Sequence, residues 1–284
     1  MPDRVILVSN RLPVTIRKHE SGLEVVPSSG GLATALRSFN AGAGLTWFGW
    51  PGVVPRKDRA AVEQALSAHG SVPVFLPARM AERFYEGFSN RTLWPLFHSF
   101  ASYTRYVEGE WEAYLEANQR FADRVARSAP DDSMIWIHDY QLMLLPSLLR
   151  EKMPGASIGF FLHVPFPPYE IFRLLPQGRE ILNALLTADL VGFHTHEYAQ
   201  AFLGCVRRLL GFENTLGELM VGPRNVQVDV FPIGVDFDSF AQASAAPENR
   251  KAVENLKGAA GKLIFSVCRL DYTKGIPQSL AGVE

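Results

Sequence analysis

Cysteine is scarce in this chain of 284 residues: Cys205 and Cys268 stand alone, far apart, each inside an apolar run. A disulfide framework is thereby excluded, and buried reduced thiols are the expected state of both. An excess of one charge is missing too. Lys plus Arg total 28 against 29 for Asp plus Glu, so no net field draws the protein non-specifically to nucleic acid or to a membrane surface. Any anion must be held by locally placed Arg, Lys or backbone N–H groups. No apolar stretch approaches the roughly 20 residues that span a bilayer. Met1-Pro2-Asp3-Arg4 leads into an apolar run without a signal-peptide cleavage pattern, and a cytoplasmic protein is expected. Internal repeats and low-complexity tracts are absent as well.

What is present fits a globular α/β protein. The apolar fraction of 47% and charged fraction of 20% provide for a well-filled core. The length suits one large domain or two smaller ones of roughly 100–200 residues each. Runs rich in Val, Ile, Phe and Leu read as buried parallel strands: Val5–Ser9, Met134–His138, Ile158–His163, Leu190–His194, Val226–Ile233 and Leu263–Cys268. Between them, His196–Leu210 puts Tyr198, Phe202, Cys205, Val206 and Leu209 on one helical face and stops at Gly211. Gln141–Lys152 is similar, interrupted by Pro146. Strands alternating with helices imply a Rossmann-like, mainly parallel sheet with flanking helices.

The composition changes near residue 241. Residues 1–240 make an N-terminal domain, 241–262 a polar linker, and 263–284 the opening of a second domain. One strand, one loop and part of a helix cannot bury a core of their own, so the remainder of that domain is expected to be absent.

Ligands of open α/β sheets bind outside the carboxyl ends of the strands. Those ends here are Asn10-Arg11, His138-Asp139, His163, His194, Gly234 and Arg269. Any single one serves equally as a cap or turn residue; together they favour a site. Ser28-Ser29-Gly30-Gly31-Leu32 is a small glycine-rich turn opening into a helix, which offers backbone N–H groups to an anion or is a plain turn. Arg11 offers a planar fork for a phosphate or is an ordinary surface arginine. Tyr85 and Trp94 either line a sugar-sized pocket or pack in the core. Asp139 accepts bonds from sugar hydroxyls or caps a helix. His163, stiffened by Val164-Pro165-Phe166-Pro167-Pro168, donates to a hydroxyl as a neutral imidazole or is a satisfied buried histidine. Arg269 and Lys274 share one loop and would neutralise a leaving diphosphate, or are solvated charges.

Other chemistries find no support. The turn at Gly30 is not followed by Gly-Lys-Ser/Thr, and no Gly-x-Ser-x-Gly elbow is present. Asp236-Phe237-Asp238 and His194-Thr195-His196 have spacings seen in metal sites but lack further ligands. A nicotinamide-binding turn would occupy Asn10-Arg11-Leu12-Pro13, and its glycines are not there.

Taken in order, Val8-Ser9-Asn10-Arg11-Leu12-Pro13, Ser29-Gly30-Gly31-Leu32, Leu93-Trp94-Pro95-Leu96-Phe97-His98, His138-Asp139-Tyr140, Phe160–Pro167, Asp189–Thr195 and Arg269–Gly275 resemble the trehalose-6-phosphate synthase family of retaining glycosyltransferases. The resemblance implies two Rossmann-like domains facing one another, the GT-B arrangement, and transfer of glucose from UDP-glucose to glucose 6-phosphate. It implies Arg11, Tyr85, Trp94 and Asp139 as acceptor-binding residues. Gly30, Gly31, His163, Arg269 and Lys274 would hold the donor, and His163, Asp139, Arg269 and Lys274 would be the catalytic set. It implies no cofactor and no obligatory metal. The partners implied are the two small-molecule substrates, with no nucleic acid and no membrane, and with room for a homo-oligomer. Without the rest of the donor domain, the chain alone is expected to be nearly inactive. The alternatives carried forward are another phosphorylated acceptor, such as glycerol 3-phosphate, and a non-catalytic sugar-phosphate-binding subunit.

Overall fold

A computed structural model describes residues 5–19, 22–28, 45–257 and 264–283. The chain divides into two compact units, Met1–Ile233 and Gly234–Glu284.

The first unit is built on a sheet of β1 (Val5–Arg11), β4 (Leu45–Trp50), β5 (Ser71–Pro73), β6 (Met134–His138), β7 (Ser157–Phe161), β8 (Leu190–Phe193), β9 (Glu218–Val221) and β10 (Arg224–Val230). Its order is β5-β4-β1-β6-β7-β8-β10-β9. Every pairing is parallel except β9 against β10 at one edge. A separate antiparallel hairpin joins β2 (Val14–His19) to β3 (Gly22–Pro27).

Strands of a parallel sheet read as near-continuous apolar runs, which is why Val5–Ser9 and Met134–His138 were visible in sequence. Alternation then divides their side chains. Ile6, Val8, Ile135, Ile137, Ile158, Phe160, Val191 and Phe193 face the larger core. That core is closed by α2 (Glu110–Ser128), α3 (Leu145–Lys152), α4 (Gly178–Leu185) and α5 (His196–Leu210). Leu7 and Trp47 face the other way, against α1 (Arg59–Ser67) and the hairpin.

The expected helix His196–Leu210 is α5 with those bounds, and the Thr195 hydroxyl caps it by accepting from Tyr198 N–H at 3.3 Å. The expected helix Gln141–Lys152 is instead a 3₁₀ turn, Tyr140–Leu142, followed by α3. Pro146 falls in the first turn of α3, where its missing N–H has no partner to lose.

The second unit holds α6 (Phe237–Ala245), α7 (Pro247–Lys257), a 3₁₀ turn Tyr272–Lys274 and a short helix Ile276–Ala281. The strand expected at Leu263–Cys268 is not formed over 264–268, where Ile264, Phe265 and Val267 are exposed. An isolated strand has no ladder to satisfy its backbone groups, and the described residues of this unit supply no neighbour. Cys268, expected to be buried, is therefore exposed, whereas Cys205 is buried and its thiol is pushed up to about 12 by desolvation. No helix among the described residues is long and apolar enough to cross a membrane.

Candidate active site

The carboxyl edge of the sheet collects most of the residues singled out from sequence. Reading across adjacent strands, it carries Trp50 from β4, Arg11 from β1, His138-Asp139 after β6, His163 after β7 and His194 after β8.

Arg11 is placed by an irregularity in β1, where pairing with β4 jumps from Val8–Phe48 to Arg11–Trp50. Ser9 fixes the jump: its hydroxyl donates to Arg11 O at 2.7 Å and accepts from Trp47 Nε1–H at 2.8 Å. Gly49 makes room for it, because a Cβ there would lie 2.8 Å from Leu12 N and 2.9 Å from Arg11 C. The Arg11 guanidinium carbon then stands 4.0 Å from the Trp50 ring centre and 5.3 Å from that of Tyr85. The two rings meet edge-on at 6.0 Å. No carboxylate among the described residues pairs with Arg11. An aromatic-backed cation with its fork outward is prepared for a planar or tetrahedral oxyanion.

Asp139 adopts φ 76°, ψ 167°, a region that essentially only glycine visits without strain. It makes no side-chain cap bond to the turn that follows. Instead its Oδ1 accepts from His163 N–H at 3.2 Å, and its own N–H donates to Phe161 O at 2.8 Å. The backbone beyond it is gripped from α2. Tyr114, fully buried, donates its hydroxyl to Tyr140 O at 2.7 Å and accepts from Met143 N–H at 3.1 Å. Asn118 Nδ2 donates to Gln141 O at 3.0 Å. These bonds over-determine the loop and hold Asp139 in its unfavourable conformation.

Three imidazoles continue the edge. His138 Nδ1 lies 3.0 Å from His163 Nε2, and the His163 and His194 rings are 5.5 Å apart. Burial lowers the pKa of all three, helped by the neighbouring imidazole for His138 and His163. His163 falls to about 4 and His138 well below its ordinary value. Both are neutral at pH 7, the form that exchanges hydrogen bonds with a hydroxyl.

A stability consequence follows. In the unfolded chain these imidazoles take up a proton near pH 6.5, but in the fold they do not. Between pH 6.5 and about 4 the unfolded state binds more protons, so stability falls as the pH falls through that window. For His163 the loss is on the order of 3 kcal/mol. Urea unfolding should show a lower midpoint at pH ~5 than at pH ~7.5, and His163→Gln should flatten the slope. A slope unaltered in that variant would assign the acid sensitivity elsewhere.

The remaining wall comes from the wide-turned helical segment Glu82–Leu93 and the short helix Trp94–Phe97. Tyr85 reaches the Arg11 cluster. The Trp94 ring lies 4.0 Å from that of His98 and 5.8 Å from that of Tyr140, whose hydroxyl donates to Asn90 Oδ1 at 3.0 Å. Arg11, Tyr85, Trp94, Asp139 and His163 thus belong to one continuous edge of the first unit. Gly30 and Gly31 lie outside the described residues. Arg269 and Lys274 lie in the second unit, both exposed, where Asp271 Oδ1 draws in Thr273 N–H at 2.9 Å and Oγ1–H at 2.7 Å to shape their turn. Asp236 is a helix cap, accepting from Ser239 N–H at 3.0 Å.

Trp50 was not singled out from sequence, and His138 was named only as one of the strand-end residues, without a role of its own. Trp50 had a usable signal, since Leu45–Trp50 is an apolar run that ends at Pro51-Gly52. His138 carried the same strand-end signal as Asp139, and only its distance to His163 gives it a role.

The sequence profile of glycosyltransferase family 20 matches residues 3–284. A bifunctional trehalose-6-phosphate synthase/phosphatase from Thermoproteus tenax is 47% identical over 294 residues, covering 99% of this chain and 40% of that protein. A UDP-forming α,α-trehalose-phosphate synthase from Aspergillus niger is 44% identical over 291 residues, covering 99% of this chain and 61% of its own length. Among solved structures, a UDP-forming α,α-trehalose-phosphate synthase from Burkholderia xenovorans in complex with glucose-6-phosphate superposes with a TM-score of 0.77 at 31% identity, over 96% of this chain and 59% of that one. The chain therefore spans about two fifths to three fifths of the length of these relatives.

Proposed function

The chain belongs to glycosyltransferase family 20, and from that membership we propose that it serves retaining transfer of glucose from UDP-glucose to glucose 6-phosphate, giving trehalose 6-phosphate and UDP in the cytoplasm. The observation that carries the proposal is the Arg11 guanidinium resting on Trp50 and Tyr85, beside Asp139 and a neutral His163 on the same sheet edge. Arg11 takes the acceptor phosphate, and Tyr85 and Trp94 take the faces of its sugar. Asp139 accepts from acceptor hydroxyls, and its bond to His163 N–H ties the two sides of the reacting centre to one backbone unit. His163 bonds a hydroxyl of the transferred glucose.

Negative charge grows on the departing diphosphate as the glycosidic bond to UDP breaks. Arg269 and Lys274, with the backbone N–H groups around Gly30 and Gly31, are assigned to stabilise it. The acceptor hydroxyl attacks from the face the diphosphate leaves, and a leaving phosphate oxygen takes its proton. No cofactor and no obligatory metal enters this scheme. A glycerol 3-phosphate acceptor would leave the aromatic wall of Tyr85 and Trp94 without a sugar to cover.

UDP release from UDP-glucose, followed with and without glucose 6-phosphate, tests the proposal. Release that requires the acceptor supports transfer. Binding of glucose 6-phosphate without release would mark a sugar-phosphate-binding chain, and failure to bind it would overturn the acceptor assignment.

A further inference from the structure

Glu110 is the first residue of α2, yet it is only 3% exposed, a rare place for a carboxylate unless it is paired. Its Oε1 accepts from Arg91 Nη1 at 3.0 Å, and Arg91 is half exposed. Burial raises the carboxyl pKa, while the charges of Arg91 and Arg83 and the Arg91 hydrogen bond pull it back down. The start of a helix adds a further favourable field for the anion.

The other side of this carboxylate is closed by Gly87. There the segment Glu82–Leu93 leaves helical geometry, at φ −75° and ψ −108°. A Cβ on Gly87 would stand 2.6 Å from Glu110 Cδ and 2.7 Å from its Oε1. The carboxylate occupies the kink itself, and any larger residue would expel it. Just before the kink, Tyr85 reaches Arg11; just after it, Asn90 receives the Tyr140 hydroxyl. Irregular helical turns of this kind recur where side chains must be aimed.

We propose that Glu110 is a positioning residue: locked between Gly87 and Arg91, it sets the turn that carries Tyr85 to Arg11 and Asn90 to Tyr140. That this wall meets a phosphorylated sugar rests on the function proposed above; the positioning of Tyr85 does not. Removing Arg91 would strand a buried charge, whereas Glu110→Gln leaves an arginine in water, so the latter is the milder change.

Glucose 6-phosphate is titrated calorimetrically into the wild-type chain and Glu110→Gln, with thermal unfolding and the Tyr85 ring resonances followed in both. The expected result is affinity weaker by about tenfold, displaced Tyr85 resonances, and a melting temperature close to that of the wild type. Arg91→Lys keeps the charge but moves the donor that reaches Glu110 Oε1; it should act in the same direction, and it decides the matter if Glu110→Gln does not fold. Unchanged affinity with unchanged Tyr85 resonances overturns the proposal, whatever happens to the melting temperature. If the wild-type chain takes up no glucose 6-phosphate, the function proposed above fails, and the Tyr85 resonances alone decide for or against Glu110.

Discussion

Arg11→Ala should weaken glucose 6-phosphate binding by about a hundredfold while lowering stability by no more than about 1 kcal/mol. A fork-to-phosphate contact supplies charge-assisted hydrogen bonds of about 1.5–3 kcal/mol each, and the upper part of that range is a hundredfold. The fold loses the stacking of the guanidinium on Trp50 and Tyr85, about 0.5–1 kcal/mol, but no ion pair among the described residues. Arg11→Lys should recover only part of the affinity. A lysine keeps the charge but neither presents two parallel donors nor lies flat on Trp50 as the guanidinium does at 4.0 Å. Titration calorimetry beside a thermal melt separates the two effects. A wild-type affinity in Arg11→Ala would place the phosphate elsewhere.

At Asp139 the stability of two variants should diverge although both lose the sugar contact proposed above. Asp139→Ala removes the carboxylate that receives His163 N–H and keeps a Cβ at φ 76°, ψ 167°. Asp139→Gly removes the same carboxylate but relieves the backbone. The glycine variant should therefore be more stable than the alanine variant by about 1–3 kcal/mol, less roughly 0.5–1 kcal/mol for the greater freedom of glycine when unfolded. Denaturant titration reads that difference directly. Both should bind glucose 6-phosphate far more weakly than Asp139→Asn, whose side-chain oxygen still accepts from His163 N–H. Equal stability of the alanine and glycine variants would mean the loop relaxes, and the account of Asp139 as a strained residue held from α2 would fail.

The parts of this fold legible in sequence are those where one physical signal acts alone. Met134–His138 and His196–Leu210 were readable to the residue, the first as a short apolar run that ends in a polar pair, the second as a one-faced helix that stops at Gly211. Leu45–Trp50 was missed although its aromatics and Thr46 favour a strand: Gly49 breaks the run, and its burial comes from neighbours distant in sequence. Ser71–Pro73 is too short to show periodicity. Leu263–Cys268 erred in the other direction, since an apolar run signals a strand only where a partner receives it. At the site, residue types at strand ends pointed to Arg11, Asp139 and His163 correctly as neighbours along one edge. The backbone torsion of Asp139, the rings behind Arg11 and the seat of Glu110 in the Gly87 kink had no local signal. Each is a relation between segments, and only packing supplies it.

One helix touches both sides of that edge. α2 meets the Tyr85 segment through Glu110 and the Asp139 loop through Tyr114 and Asn118. At about 1.5 Å per residue, these contacts fall within its first few turns, on one rigid stretch of backbone. The Tyr85 segment and the Asp139 loop are therefore a single casting rather than a pair of jaws. For the acceptor proposed above, such an edge discriminates by refusal: a molecule of the wrong width is not accommodated by a shift of the Tyr85 segment, because moving it means moving the Asp139 loop.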